Sequence, residues 1–86
     1  MTKPQLFTVE PDPPVKGEDF TVAYAFPSGV SSVNITVAFE PGGSTPHTLN
    51  AGDGPLTLTS PDDADSILVT DESETSKPYH KGLANP

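Results

Sequence analysis

The sequence predicts an all-β protein, a small antiparallel β-sandwich of about six to seven strands with extended terminal arms. Three observations support this fold class. Apolar residues alternate strictly with small or polar residues in two central segments, 20–26 and 33–39. Turn-forming residues recur about every 8 to 12 positions, which is the spacing of strands in sandwiches and barrels. No segment carries the period of an amphipathic helix.

The first predicted strand is Leu6–Glu10, with Phe7 and Val9 on its inward face. It stops at residues 11–14, which contain three prolines. Proline has no N–H to donate to a neighbouring strand, so we expect this strand at the edge of a sheet. Gly17 then predicts a turn, because glycine readily adopts a positive φ.

The two alternating segments are the second and third predicted strands. Successive side chains of a strand point to opposite faces of the sheet, so each alternating set shares one buried face. The breakers Pro27, Ser28 and Gly29 lie between the two segments, which predicts a β-hairpin. Its predicted inward residues are Phe20, Val22, Tyr24, Phe26, Val33, Ile35, Val37 and Phe39.

Three shorter strands are predicted beyond a polar loop at residues 40–46. They are His47–Asn50, Pro55–Thr59 and Ser66–Asp71. Each is bounded by glycine, proline, aspartate or serine, as strands commonly are. Their predicted inward residues are Leu49, Leu56, Leu58, Ile67 and Val69.

The chain is interpreted as an N-terminal arm at residues 1–5, a β-sandwich domain at residues 6–76 and a C-terminal arm at residues 77–86. The alternating pattern lapses after the sixth strand. The C-terminal segment carries one aromatic and one aliphatic residue, Tyr79 and Leu83, among polar residues. This composition suits docking on another surface, and a frayed tail is the alternative.

Composition limits both stability and partners. A chain of 86 residues forms one domain at most and buries about 60 to 65% of its unfolded surface, so its core is small. It has no cysteine, which excludes disulfides and thiolate metal sites. The formal charge is -8, and the basic side chains are four lysines without arginine. We therefore discount nucleic acid and membranes as partners.

No grouping of residues in the sequence predicts catalysis, and we expect neither enzyme activity nor a cofactor. His47 and His80 are far apart, and no Gly-x-Ser-x-Gly motif presents a nucleophile. Two histidines without a nearby third ligand are also weak support for zinc.

Carboxylates cluster on both sides of the sixth predicted strand. Oxygen ligands on loops suit calcium, although the spacing here does not follow an EF-hand loop. A solvated acidic surface is the favoured interpretation, and a calcium site at the first cluster stays open. The two clusters are Asp62, Asp63, Asp65 and Asp71, Glu72, Glu74.

Residues 9–22, Val-Glu-Pro-Asp-Pro-Pro-Val-Lys-Gly-Glu-Asp-Phe-Thr-Val, resemble the first two strands of many immunoglobulin-like modules. In those modules a proline-containing kink and a glycine precede an alternating second strand, so the resemblance implies a small immunoglobulin-like β-sandwich. Through its Pro-x-x-Gly motif, the same stretch is similar to the MD-2-related lipid-recognition domain, which implies lipid binding between the sheets. In architecture, the short, acidic, cysteine-free chain is similar to bacteriophage capsid decoration proteins. That resemblance implies a structural role on a virion.

We therefore expect a non-enzymatic structural accessory protein that docks on a larger assembly, with a viral capsid and its major capsid protein as the first candidate. Docking is expected through an exposed sheet edge and the arms, with Leu6, Tyr79, Lys81 and Leu83 as contact residues. Lysines in the terminal segments would turn the arms toward an acidic support and leave the acidic body facing solvent.

The expected location is the exterior of a capsid, after synthesis in the host cytoplasm. Residues 1–5 lack the apolar stretch of a signal peptide. Homo-oligomerisation stays open. The alternative function is a ligand-binding immunoglobulin-like module that takes a carbohydrate, a lipid or, with calcium, an adhesion partner.

Overall fold

The computed structural model describes residues 3–86, which form seven strands and no helix. The strands are β1 (Phe7–Glu10), β2 (Asp19–Tyr24), β3 (Ser32–Glu40), β4 (Ser44–Asn50), β5 (Leu56–Thr59), β6 (Ser66–Asp71) and β7 (Tyr79–Gly82). A smaller sheet has the order β1-β2-β5, and a larger sheet has the order β4-β3-β6-β7. All pairings are antiparallel. The predicted all-β fold of about six to seven antiparallel strands is confirmed, with two sheets as in a β-sandwich.

The inner faces of the two sheets share one hydrophobic core. Val22 on the smaller sheet and Val37, Ile67 and Val69 on the larger sheet are 0% exposed. These side chains fill the space between the two sheets. The buried core consists of Phe7, Val9, Phe20, Val22, Val33, Ile35, Val37, Leu49, Ala64, Ile67, Val69, Tyr79 and Leu83, and Tyr24, Phe26, Phe39, Leu56 and Leu58 pack against it.

The predicted hairpin between the second and third strands is wrong. β2 pairs with β1 and β5, whereas β3 pairs with β4 and β6. Residues 25–31 therefore cross from one sheet to the other, which in a sandwich lies about 10 Å away. Alternation identifies the buried face of a strand but not its neighbour, because strands in facing sheets bury their side chains in the same core.

A tight hairpin instead joins β3 to β4. The sequence predicts a loop at residues 40–46, but β4 begins at Ser44 and only residues 41–43 form the turn. Phe39 N donates to Gly43 O at 3.0 Å. Gly42 has a φ of 143°, which L side chains rarely adopt.

The C-terminal segment contributes a strand of the sandwich. Within residues 77–86, expected as an arm, Tyr79–Gly82 forms β7 and pairs with β6. Leu83 N donates to Asp65 O at 2.8 Å, just beyond the strand. In the sequence, Lys81 holds the position midway between Tyr79 and Leu83. No run of alternating apolar residues therefore identifies this strand.

The N-terminal segment lies against the start of β7. Lys77 N donates to Pro4 O at 2.8 Å, and Leu6 N donates to Ser76 Oγ at 2.9 Å. Of the predicted N-terminal arm, Met1 and Thr2 lie outside the described residues.

Candidate docking surface

The solvent side of the larger sheet carries no aspartate, glutamate, lysine or arginine side chain between its two ends. Its residues alternate with the buried Val33, Ile35 and Val37 of β3, and the strand register extends the surface across all four strands. We call this surface the outer face. It consists of Asn34, Thr36, Ala38, Ser44, Pro46, Thr48, Leu68, Thr70 and His80.

Carboxylates border the outer face without entering it. Glu40 follows Ala38 in the outward phase and lies opposite Ser66 in the row at one end of the sheet. At the other end, Glu72 N donates to Asn34 O at 2.8 Å. On the solvent side of the smaller sheet, the exposed carboxylates Glu10 and Asp19 are also strand-end residues. The chain carries a charge of -8, so the outer face is depleted of charge relative to the rest of the molecule.

The free edge of β4 is interrupted by proline. Phe39 N donates to Gly43 O at 3.0 Å, and Ala51 N donates to Ser31 O at 2.8 Å. Because antiparallel pairing alternates, the even-numbered residues of β4 turn their backbone groups to solvent. Pro46 occupies one of these positions and has no N–H. Prolines of this kind help natural edge strands to resist pairing with another chain.

The free edge of β7 is covered at both ends by backbone from the N-terminal part of the chain. Pro4 O accepts from Lys77 N near its start, as described above. Beyond its end, Ala84 N donates to Pro14 O at 2.9 Å and Ala84 O accepts from Lys16 N at 2.9 Å. Neither long edge of the larger sheet therefore offers an uninterrupted template for strand addition.

The four predicted contact residues do not form one exposed patch. Tyr79 is 6% exposed and Leu83 is 9% exposed, so both belong to the core. Lys81 is exposed on β7, and Leu6 is half-buried beside Ser76. The two apolar residues that the sequence presents as docking anchors therefore stabilise the sandwich itself.

Asp71 organises the loop between β6 and β7. This residue is 4% exposed, and its Oδ2 accepts from Tyr24 Oη at 3.1 Å and Ser73 Oγ at 3.2 Å. The same oxygen accepts from the backbone N–H groups of Thr75 at 3.0 Å and Ser76 at 3.1 Å. A buried carboxylate needs such donors to offset its lost hydration. The sequence shows Asp71 only as part of an acidic cluster.

Two tyrosine hydroxyls are held in their protonated form. Burial, together with the hydrogen bond to Asp71, raises the pKa of Tyr24. Burial and a 2.6 Å hydrogen bond to Asp12 Oδ1 raise the pKa of Tyr79. A phenol that donates to a carboxylate resists ionisation, because the phenolate would face a second negative charge.

Residues 3–86 contain no group of three or more histidine, cysteine, aspartate or glutamate side chains that could hold a metal ion. In the first acidic cluster, Asp65 Oδ1 lies 3.4 Å from Lys16 Nζ. His47 Nε2 lies 2.9 Å from Thr45 Oγ1, and the strand order places His47 and His80 on opposite edges of the larger sheet.

No protein-family model, curated protein or solved structure matches this chain. In the part of the chain that the structure describes, no helix has the length and apolar character needed to cross a membrane.

Proposed function

We propose that this protein is a non-enzymatic structural accessory protein that docks on a larger protein assembly through the outer face of its larger sheet. The observation that carries this proposal is the absence of charged Asp, Glu, Lys and Arg side chains from the outer face in a chain with a charge of -8. The cores of protein interfaces are depleted of charged residues.

The residues of the outer face favour docking for two physical reasons. Thr36, Ala38 and Leu68 are short or apolar and only partly exposed, so burying them requires no desolvation of an ion. The strands that carry them are fixed by the sandwich core, so docking immobilises little additional backbone.

The face is a better candidate than an edge or a terminal arm. Pro46 interrupts the β4 edge, the β7 edge is covered at both ends, and Tyr79 and Leu83 are buried in the core. Docking through the face leaves the sandwich intact, whereas docking through those two side chains would require them to leave the core.

We propose a viral capsid, contacted at its major capsid protein, as the assembly. The support is the architectural resemblance of the short, acidic, cysteine-free sandwich to capsid decoration proteins. With the outer face against a capsid, the charged side of the smaller sheet would face solvent and keep the exterior soluble. A second copy of this chain is the other partner to examine.

The test is co-sedimentation of the full chain with purified capsids in low and high salt. Saturable binding that changes little between about 0.15 M and about 1 M salt is expected, because a contact without charges is not screened. Binding that disappears in high salt would instead indicate contact through the lysines of the terminal segments. No binding to capsids, together with a concentration-independent monomer mass, would refute the docking proposal.

A further inference from the structure

A cleft of about 350 Å³ lies at one end of the sandwich, between the connection that crosses the sheets and the loop after β6. Pro27, Val30 and Val33 supply apolar surface, and Glu72 supplies a carboxylate. A volume of this size is at the lower end of small-molecule sites. The remaining lining residues are Tyr24, Ser32, Asn34, Ser73 and Thr75.

The wall of the cleft that carries Glu72 is fixed by hydrogen bonds. Glu72 N donates to Asn34 O at 2.8 Å, which ties the start of the loop to β3. Thr75 Oγ1 donates to Ser73 Oγ at 3.1 Å, and the Asp71 carboxylate holds both residues as described above. A wall that is already ordered loses little conformational entropy when a ligand binds.

The cleft combines an apolar surface with an unneutralised negative charge. Among the large hydrophobic residues in positions 3–86, Val30 is the exposed one, with 40% of its surface accessible to solvent. Glu72 makes no ion pair within residues 3–86, whereas the neighbouring Glu74 lies 3.8 Å from Lys3 Nζ. An occupant with an apolar stem and a cationic tip would complement both features.

We propose that this cleft binds a basic side chain, arginine or lysine, presented by a partner protein. The aliphatic stem lies across Pro27 and Val30, and the cationic group pairs with the carboxylate of Glu72. The overall charge of -8 attracts a basic partner over longer distances. This site goes beyond the proposed function, since it uses a charged cleft at the end of the sheet and the docking contact does not.

The test is an NMR titration of the full chain with Nα-acetyl-arginine methylamide and with its citrulline counterpart, a neutral probe of nearly the same shape. The arginine probe is expected to shift the amide signals of Val30, Val33 and Ser73 in a saturable manner, and the citrulline probe to bind more weakly by about fivefold or more. Both probes act without any capsid, so this result is independent of the docking proposal.

Two matched variants locate the charge. Glu72→Gln is expected to weaken arginine binding by about fivefold, whereas Glu74→Gln, two residues away and outside the cleft lining, should leave it unchanged. Val30→Ser should weaken binding of both probes. Each variant is first checked for the wild-type pattern of amide signals. Both glutamine variants should show this pattern, because Glu72 and Glu74 are exposed.

The proposal is overturned by any of three results. These are equal binding of the arginine and citrulline probes, equal weakening by Glu72→Gln and Glu74→Gln, and arginine-induced shifts that spread over the acidic surface without saturating at the cleft. An absence of shifts from both probes would also overturn it.

Discussion

The hydroxyl of Tyr24 on the smaller sheet donates to Oδ2 of Asp71 on the larger sheet, with 3.1 Å between the two oxygens. This contact joins the sheets at the end of the sandwich where the proposed basic side-chain cleft lies. The same carboxylate orders the loop that carries Glu72. Asp71 therefore links the stability of the fold to the shape of the cleft wall.

The first prediction concerns Asp71. Asp71→Ala removes the oxygen that accepts from Tyr24, Ser73, Thr75 and Ser76, so its buried donors lose their acceptor. Leaving such groups unsatisfied costs about 1 to 3 kcal/mol each, and we expect the free energy of unfolding to fall by about 2 to 4 kcal/mol. Urea denaturation measures this change. The exposed control Glu72→Gln should change it by less than about 0.5 kcal/mol; equal effects of the two variants would contradict the assigned role.

The second prediction concerns alkaline pH. The pKa values of Tyr24 and Tyr79 in the folded protein lie above the ordinary 10.0. Above that pH the unfolded chain releases phenol protons that the folded protein retains, so the free energy of unfolding falls as pH rises. The stabilisation is fully present below pH 10.0 and is lost as pH rises toward the folded pKa values.

Tyr79→Phe separates this effect from other alkaline changes. The variant starts from lower stability, because Asp12 loses its donor, but its stability should fall less steeply than that of the wild type between about pH 8 and about pH 11. Urea denaturation across this range gives both slopes. Parallel slopes would show that ionisation of Tyr79 does not contribute.

The third prediction distinguishes a strand from a dispensable arm. A chain that ends at Ser76 lacks β7 and the buried Tyr79 and Leu83, which removes contacts worth about 2 to 5 kcal/mol for each side chain. Small domains are stable by only about 5 to 15 kcal/mol, so this truncation should unfold the protein or lower its thermal midpoint strongly. A chain that ends at Ala84 is the control and should melt like the full chain. An unchanged midpoint after truncation at Ser76 would contradict the role of β7.

The fourth prediction concerns the free edge of β4. Pro46→Thr adds an outward N–H to an exposed edge, so we expect association that increases with protein concentration. Light scattering measures the mass, and Thr48→Val is the control, because it changes the same edge without adding a donor. A monomeric Pro46→Thr variant would show that Pro46 does not protect this edge.

Strands and their buried faces could be predicted from the sequence because alternation records burial directly. Ser66–Asp71 is placed at its observed bounds, and Phe20, Val22, Ile35 and Val37 are inward as expected. Strand partners could not be predicted, because β2 and β3 bury their side chains in the same core from opposite sheets. The hairpin prediction failed for this reason.

The candidate sites depend on residues that are distant in sequence. The outer face becomes visible only when the register places Thr36 beside Thr70 and Thr48 beside Asn34. One feature of the sequence indicates that Tyr24 has a polar partner in the fold: the residue is predicted to be inward, and its buried hydroxyl needs a hydrogen-bond acceptor. Sequence spacing alone does not identify Asp71 as that partner.

The most direct test of the docking proposal compares two threonines in equivalent positions. Thr36 and Thr21 are both partly exposed in the central strands of their sheets, on the larger and smaller sheet respectively. A lysine at either position should be tolerated by the fold, but only Thr36→Lys places a charge in the outer face. Dissociation constants for capsids are measured for both variants. We predict that Thr36→Lys weakens capsid binding by about tenfold or more and that Thr21→Lys weakens it by less than about twofold. Equal capsid affinities of the two variants would contradict the docking proposal.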